Sequence, residues 1–118
     1  MKLDALEWTL LFDYYGELLT ERQQTCFDLY YNQDLSLGEI AEEAGISRQG
    51  VYDTIARAKA SLRTMEDKTG CMRRDIVCRK AMEKIQAAAA QLAQAEDQSV
   101  CALAGEILQA VEEIKEQS

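Results

Sequence analysis

The sequence predicts an all-α protein, with an N-terminal helical domain over residues 1–69 and a C-terminal helical hairpin over residues 70–118. Three observations predict it. Proline is absent and glycine occurs six times in 118 residues, so few residues interrupt a helix. The second half is rich in Ala, Leu, Glu, Gln, Lys and Arg, the strongest helix formers. Two segments, Thr20-Glu21-Arg22-Gln23 and Ser36-Leu37-Gly38-Glu39, have the form of capping boxes, in which a hydroxyl and a carboxyl or amide three residues on satisfy the free N–H groups of a helix start.

The elements follow in order. Ala5, Trp8, Phe12 and Tyr15 recur at three- and four-residue spacing and predict a first helix that Gly16 ends. The Thr20 box opens a second helix from about Glu21 to Tyr31, burying Cys26, Phe27 and Tyr30 and stopping in the polar turn Asn32-Gln33-Asp34. The Ser36 box opens a short helix whose apolar face is Ile40, Ala41 and Ala44, and Gly45 ends it. Ser47 is the next N-cap, after which Val51, Ile55, Ala58 and Leu62 form the stripe of a longer helix that continues to Lys68-Thr69-Gly70. Beyond Gly70, Cys78, Ala81, Ile85, Ala88, Leu92 and Ala95 alternate by three and four, a narrow heptad-like seam. The polar stretch Glu96-Asp97-Gln98-Ser99 interrupts it, and Val100, Leu103, Ile107, Val111 and Ile114 resume helical spacing. The last third therefore reads as two antiparallel helices with too little apolar area to stand alone. A second subunit is the favoured covering, and the first domain the alternative; a homodimer is expected.

Composition excludes several function classes. No histidine is present, which removes the commonest general base and any Cys/His zinc site. Cys26, Cys71, Cys78 and Cys101 show no C-x-x-C pairing; Cys26, Cys78 and Cys101 read as small buried apolar residues and Cys71 as exposed beside Gly70. No phosphate-binding loop or nucleophile elbow appears, so no catalytic residue, metal or cofactor is expected and the chain reads as a non-enzyme. No run of eighteen apolar residues and no signal-peptide pattern occurs, which predicts a cytoplasmic protein without membrane insertion.

The net charge of −8 argues against simple adhesion to nucleic acid, because neutralisation of phosphates by Lys and Arg supplies most of that affinity. Its distribution says more: residues 1–35 carry −5, residues 36–63 zero, residues 64–84 +2 and residues 85–118 −5.

Leu37 to Ala56 fits the helix-turn-helix in its fixed offsets, with Gly45 supplying the positive φ of the turn, Ile46 plugging the core and Val51 anchoring the second helix. Thr54 departs from the aliphatic usual at its position. With Val51, Ile55 and Ala58 facing inward, Arg48, Gln49, Tyr52, Asp53 and Arg57 project outward from the end of the helix that enters a major groove in DNA-binding members of this motif. Arg48 suits guanine O6 and N7, Gln49 suits adenine N6 and N7, and Ser47 with the helix N-terminus suits a phosphate. Asp53 would repel phosphate unless Arg57, four residues on, pairs with it. Gly50 reads either as a close approach to DNA or a partner, or as drift tolerated within a well-packed helix. The same polar residues also suit an ordinary solvated face, and the five tyrosines read as core and rim packing rather than a base-stacking platform. A basic cluster, Lys68, Arg73, Arg74, Arg79, Lys80 and Lys84, is the only concentrated positive region; Arg73, Arg74, Lys80 and Lys84 are the candidates for phosphate or an acidic partner.

Leu11-Phe12-Asp13-Tyr14-Tyr15-Gly16, Leu19 to Gln23, Asp34 to Ala41 and Ser47 to Asp53 resemble the YlxM family over roughly residues 3–68. The resemblance implies a fold like the fourth region of sigma factors and a regulatory role in the signal recognition particle pathway, with the particle's protein or RNA as partner, while the helix-turn-helix residues themselves point to double-stranded DNA. A protein adaptor that uses the scaffold without binding nucleic acid is the alternative. The Ala-rich, Cys-containing tail after Gly70 departs from the charged helices of that family.

Overall fold

A computed structural model describes residues 3–117 and contains six α-helices and no strand among them. They are α1 (Ala5–Tyr15), α2 (Glu21–Tyr31), α3 (Leu37–Ala44), α4 (Arg48–Thr69), α5 (Cys71–Leu92) and α6 (Gln98–Glu116), with a single 3-10 turn, Gly16–Leu18, between α1 and α2. Two compact units result, one ending at Met72 and the other beginning at Arg73. The division falls three residues beyond the Thr69/Gly70 boundary read from the sequence. Met72 stays with the first unit because its N–H donates to Glu66 Oε1 at 3.0 Å and its side chain packs on the first core.

Capping chemistry sets the helix starts. Asp4 accepts from the N–H of Glu7 at 2.9 Å. Both capping boxes are formed: Thr20 Oγ1 accepts from Gln23 N at 3.2 Å while Gln23 Oε1 accepts from Thr20 N at 3.1 Å, and Ser36 and Glu39 repeat the exchange at 3.1 and 3.0 Å. Those backbone and side-chain donors hold the Glu39 carboxyl below the usual glutamate range.

The first core closes on Trp8, Leu11, Tyr15, Leu19, Cys26, Phe27, Ile40, Val51, Ile55, Ala58 and Leu62. Phe27, fully buried, lies between two rings, with Phe12 4.6 Å away on one side and Tyr31 4.5 Å away on the other. This stack corrects one expectation for α2: Tyr31 takes the slot beside Phe27, and Tyr30 is left at the surface. In α1, Leu11 fills the position between Trp8 and Tyr15, while Ala5, on the opening turn, is exposed. Gly16 has φ −55° and continues into the 3-10 turn, so it does not end α1 by turning left-handed. A Cβ there would stand 3.1 Å from the Phe12 ring, which is why the position is small.

The second unit is the α5–α6 hairpin. The N-cap of α6, Asp97, accepts from Ser99 N and Val100 N, and Cys101 Sγ donates to the Ala95 carbonyl at 2.8 Å, fastening the turn. Cys101, at the start of α6, meets the Ala93 and Ala95 carbonyls, and Lys115, at its end, donates from Nζ to Gln86 Oε1 at 2.8 Å, farther back along α5, so the helices run antiparallel. The buried positions are Met82 and Ala89 in α5 and Ala104 and Val111 in α6. The predicted seams are therefore displaced. Cys78, Ala81, Ile85, Ala88 and Leu92 are exposed, Ala95 lies in the turn beyond α5, and Leu103, Ile107 and Ile114 are exposed in α6. The run Ala87 to Ala90 is apolar all round, so periodicity does not mark which side of α5 meets α6. Cys78 is accordingly exposed, and Cys71 and Cys101 are half-buried. No helix among the described residues is long and apolar enough to cross a membrane.

Candidate nucleic-acid interface

The site is built from the turn outward. Gly45 adopts φ 70°, ψ 30°, the left-handed conformation that costs other residues roughly 1–2 kcal/mol, and its N–H closes α3 on the Ala41 carbonyl. Ile46 then packs on the core and Ser47 caps α4, its Oγ accepting from Gly50 N at 2.9 Å. Val51, Ile55, Ala58 and Leu62 are driven inward, so the opposite side of the first turns of α4 carries Arg48, Gln49, Tyr52, Asp53 and Arg57, all exposed. Tyr52, 57% exposed, is an aromatic ring held out to solvent rather than core packing.

Two details alter the reading from sequence. Asp53 is paired with Gln49, whose Nε2 donates to Asp53 Oδ1 at 3.0 Å; the expected partner, Arg57, does not make this contact. Gly50 is the third residue of α4, and a Cβ there would meet Ser47 Oγ at 3.1 Å and the Ile46 side chain at 3.6 Å. Its smallness serves the cap, which neither the close-approach nor the drift reading had identified. Thr54, at the position where an aliphatic is usual, is half-buried and satisfies its hydroxyl on the Gly50 carbonyl at 2.8 Å.

The electrostatic setting is mixed. Arg48 and Arg57 flank Asp53 on α4, while α3 exposes Glu39, Glu42 and Glu43. A cation that sequence reasoning missed, Lys59, lies 5.2 Å from the Trp8 ring and 5.1 Å from the Tyr31 ring, one turn beyond the polar face. Lys59 is flanked by small residues and carries no periodic signal, so only the fold brings it to those rings. It borders a groove of about 710 Å³ that also includes Asp34, Glu39 and Arg63, where opposite charges alternate.

Of the basic cluster, Lys68 belongs to the first unit and Arg73, Arg74, Arg79, Lys80 and Lys84 to the second. All are exposed. Arg79 pairs with Asp75 at 3.0 Å. Arg73, Lys80 and Lys84 project from the side of α5 opposite Met82 and Ala89. No group of three or more Cys, Asp or Glu among the described residues is placed to hold a metal ion.

A short helix, a left-handed glycine turn and a longer helix with a polar, outward-facing start define a helix-turn-helix protein. The sequence comparisons agree and give the family. The chain belongs to the UPF0122 family, described as "Putative helix-turn-helix protein, YlxM / p13 like", whose profile matches residues 3–101. The match runs through α5 to the first residues of α6, farther along the chain than residues 3–68, over which the resemblance is read from the sequence. Relatives include a UPF0122 protein of Thermoanaerobacter sp. (strain X514), 42% identical over 112 residues, 94% of this chain and 96% of the relative. A UPF0122 protein of Acetivibrio thermocellus is 61% identical over 64 residues, 54% of this chain and 55% of the relative. One from Listeria innocua is 46% identical over 78 residues, 66% of this chain and 71% of the relative.

Proposed function

We propose that this is a regulatory, DNA-binding helix-turn-helix protein of the cytoplasm that serves the signal recognition particle pathway, the role its YlxM resemblance implies. The observation that carries DNA binding is the exposed start of α4, where Arg48, Gln49, Tyr52 and Arg57 stand outward on a helix fixed from behind by fully buried Val51 and Ala58. Arg48 supplies the bidentate donor for guanine, Arg57 supplies phosphate contact, and Ser47 with the free N–H groups of α4 supplies an anion site. The sigma-like character of the fold belongs to the same proposal.

A specific observation favours a second reading, a protein adaptor without nucleic-acid affinity. The first unit carries thirteen acidic and seven basic side chains, and Glu39, Glu42 and Glu43 lie on the helix that crosses the phosphate backbone when such a motif docks. Anisotropy titrations against duplex DNA, particle RNA and particle protein at matched salt separate the two. The DNA reading expects duplex binding that weakens linearly on a log–log salt plot, and an Arg48→Ala loss of about 1–3 kcal/mol on the selected sequence. Binding to the particle's protein with no duplex affinity at low salt would replace it with the adaptor.

A further inference from the structure

The hairpin buries one side of each helix and leaves a second apolar side in water. In α5 the exposed stripe is Ile85, Ala88 and Leu92, and in α6 it is Leu103, Ile107 and Ile114; the five large side chains are between 39% and 59% exposed. At about 100° per residue, each stripe lies roughly a quarter turn from the buried positions of its own helix, Met82 and Ala89 or Ala104 and Val111, and in the same rotational sense on both. Two antiparallel helices with stripes offset in the same sense present them on one broad face. The apolar surface on each helix is thus about twice as wide as a two-helix hairpin uses, and is the width a helix shows when it has two neighbours.

The charges beyond the stripes are sorted by helix. α5 carries five basic and two acidic residues, α6 four acidic and one basic. Past the stripe, the outer edge of α5 holds Arg73, Lys80 and Lys84, and the outer edge of α6 holds Glu106 and Glu113. A second copy laid face to face has two symmetric choices. With its α5 over the first copy's α5, basic edge meets basic edge. With its α5 over the first copy's α6, basic edge meets acidic edge along both sides, and every neighbouring pair of helices is antiparallel. Helices of 22 and 19 residues, at about 1.5 Å rise and about 10 Å width each, give a full-length face on the order of 600 Å² per copy, apolar toward the end of α5 and carrying Arg74 near its start; two copies bury about 1,200 Å² in all, the lower end of what a specific dimer uses.

We infer that two copies of this chain join through this face into a two-fold four-helix bundle in which α5 of each lies against α6 of the other. The inference stands apart from the nucleic-acid reading, since no residue of α4 takes part.

Sedimentation velocity of the full chain across the micromolar range tests it. A species of twice the 13.3 kDa chain mass is expected. Ile107→Asp, at a surface position that the isolated hairpin tolerates, weakens association by roughly thirtyfold or more while circular dichroism stays that of the parent. Charge reversal fixes the pairing. Lys80→Glu with Lys84→Glu, and separately Glu106→Lys with Glu113→Lys, each give weakened self-association, yet an equimolar mixture of the two variants forms heterodimers as tight as the parent, because every edge again meets its opposite. A monomeric parent, a dimer indifferent to Ile107→Asp, or reversed variants that fail to rescue each other would overturn the inference.

Discussion

The first unit closes on many large side chains and the second on few. Phe27, Ile40, Val51 and Leu62 are fully buried in the first, whereas two of the hairpin's four buried positions, Ala89 and Ala104, are alanine. Burying a large aliphatic or aromatic side chain contributes about 1.5–3 kcal/mol, and an alanine far less. The helices of the hairpin are favoured by composition, but helix propensity is worth only tenths of a kcal/mol per residue and does not hold two helices together. High helical content and a stable tertiary core are thus separate achievements, reached by different residues in the two halves of this chain.

The sharpest way to break the contrast is Phe27→Ala. It removes the middle ring of the Phe12–Phe27–Tyr31 stack and costs about 3–5 kcal/mol, read as a fall in the urea midpoint of the main transition. Met82→Ala deletes the largest buried side chain of the hairpin and costs that unit about 2 kcal/mol or more. Helical signal should then be lost in an early phase while Trp8 fluorescence, which reports the first core, keeps its midpoint; a single shifted transition by both probes would show that the units unfold together.

Tyr15 tests how the first unit is fastened at the end of α4. Its hydroxyl donates to Glu66, shares a hydrogen bond with Thr69 at 2.9 Å and lies 3.4 Å from Met72 N. Tyr15→Phe should cost about 1 kcal/mol. Burial first, then the hydrogen bond to Glu66, raises the phenol above its ordinary value of 10.0. A raised acid of this kind stabilises the fold fully below the unfolded pKa and loses that contribution as pH climbs past it. The stability gap between parent and Tyr15→Phe should therefore be constant near neutrality and shrink above pH 10, measured by urea titration.

The smallest effect is a coupling at the start of α4. Ser47→Ala removes the cap to Gly50 and costs about 1 kcal/mol. Gly50→Ala gains helix propensity but crowds Ser47 Oγ, so it should be nearly neutral in the parent and clearly stabilising once Ser47 is Ala. A double-mutant cycle with a coupling below about 0.3 kcal/mol would remove this explanation of the glycine.

The same contrast explains what could be read from the sequence. Thr20, Ser36 and Ser47 announce helix starts by short-range chemistry, and the structure forms a cap at each. Gly45 and the inward stripe of α4 were legible for a related reason: polar and apolar sides of that helix differ strongly. Leu11 and Tyr31 were missed because each has an apolar or aromatic neighbour in sequence, Phe12 and Tyr30, and only the three-dimensional packing decides which neighbours enter the core. In α5 the contrast vanishes among alanines, and the apolar stripe that periodicity singles out is the one left in water. Within the candidate interface, the placement of Arg48 and Tyr52 followed from the motif, but the Gln49–Asp53 pair and the Lys59 position did not, since each depends on side-chain conformations that spacing does not specify.

That Gln49–Asp53 pair gives the outward face an internal competitor. A ligand that touches only Arg48 and Arg57 leaves the amide where it is, whereas one that needs Gln49 must first outbid a carboxylate already seated on it. Loose encounters and discriminating ones are thereby set apart by a threshold built into the resting protein, one that favours a target able to offer both a donor and an acceptor in exchange.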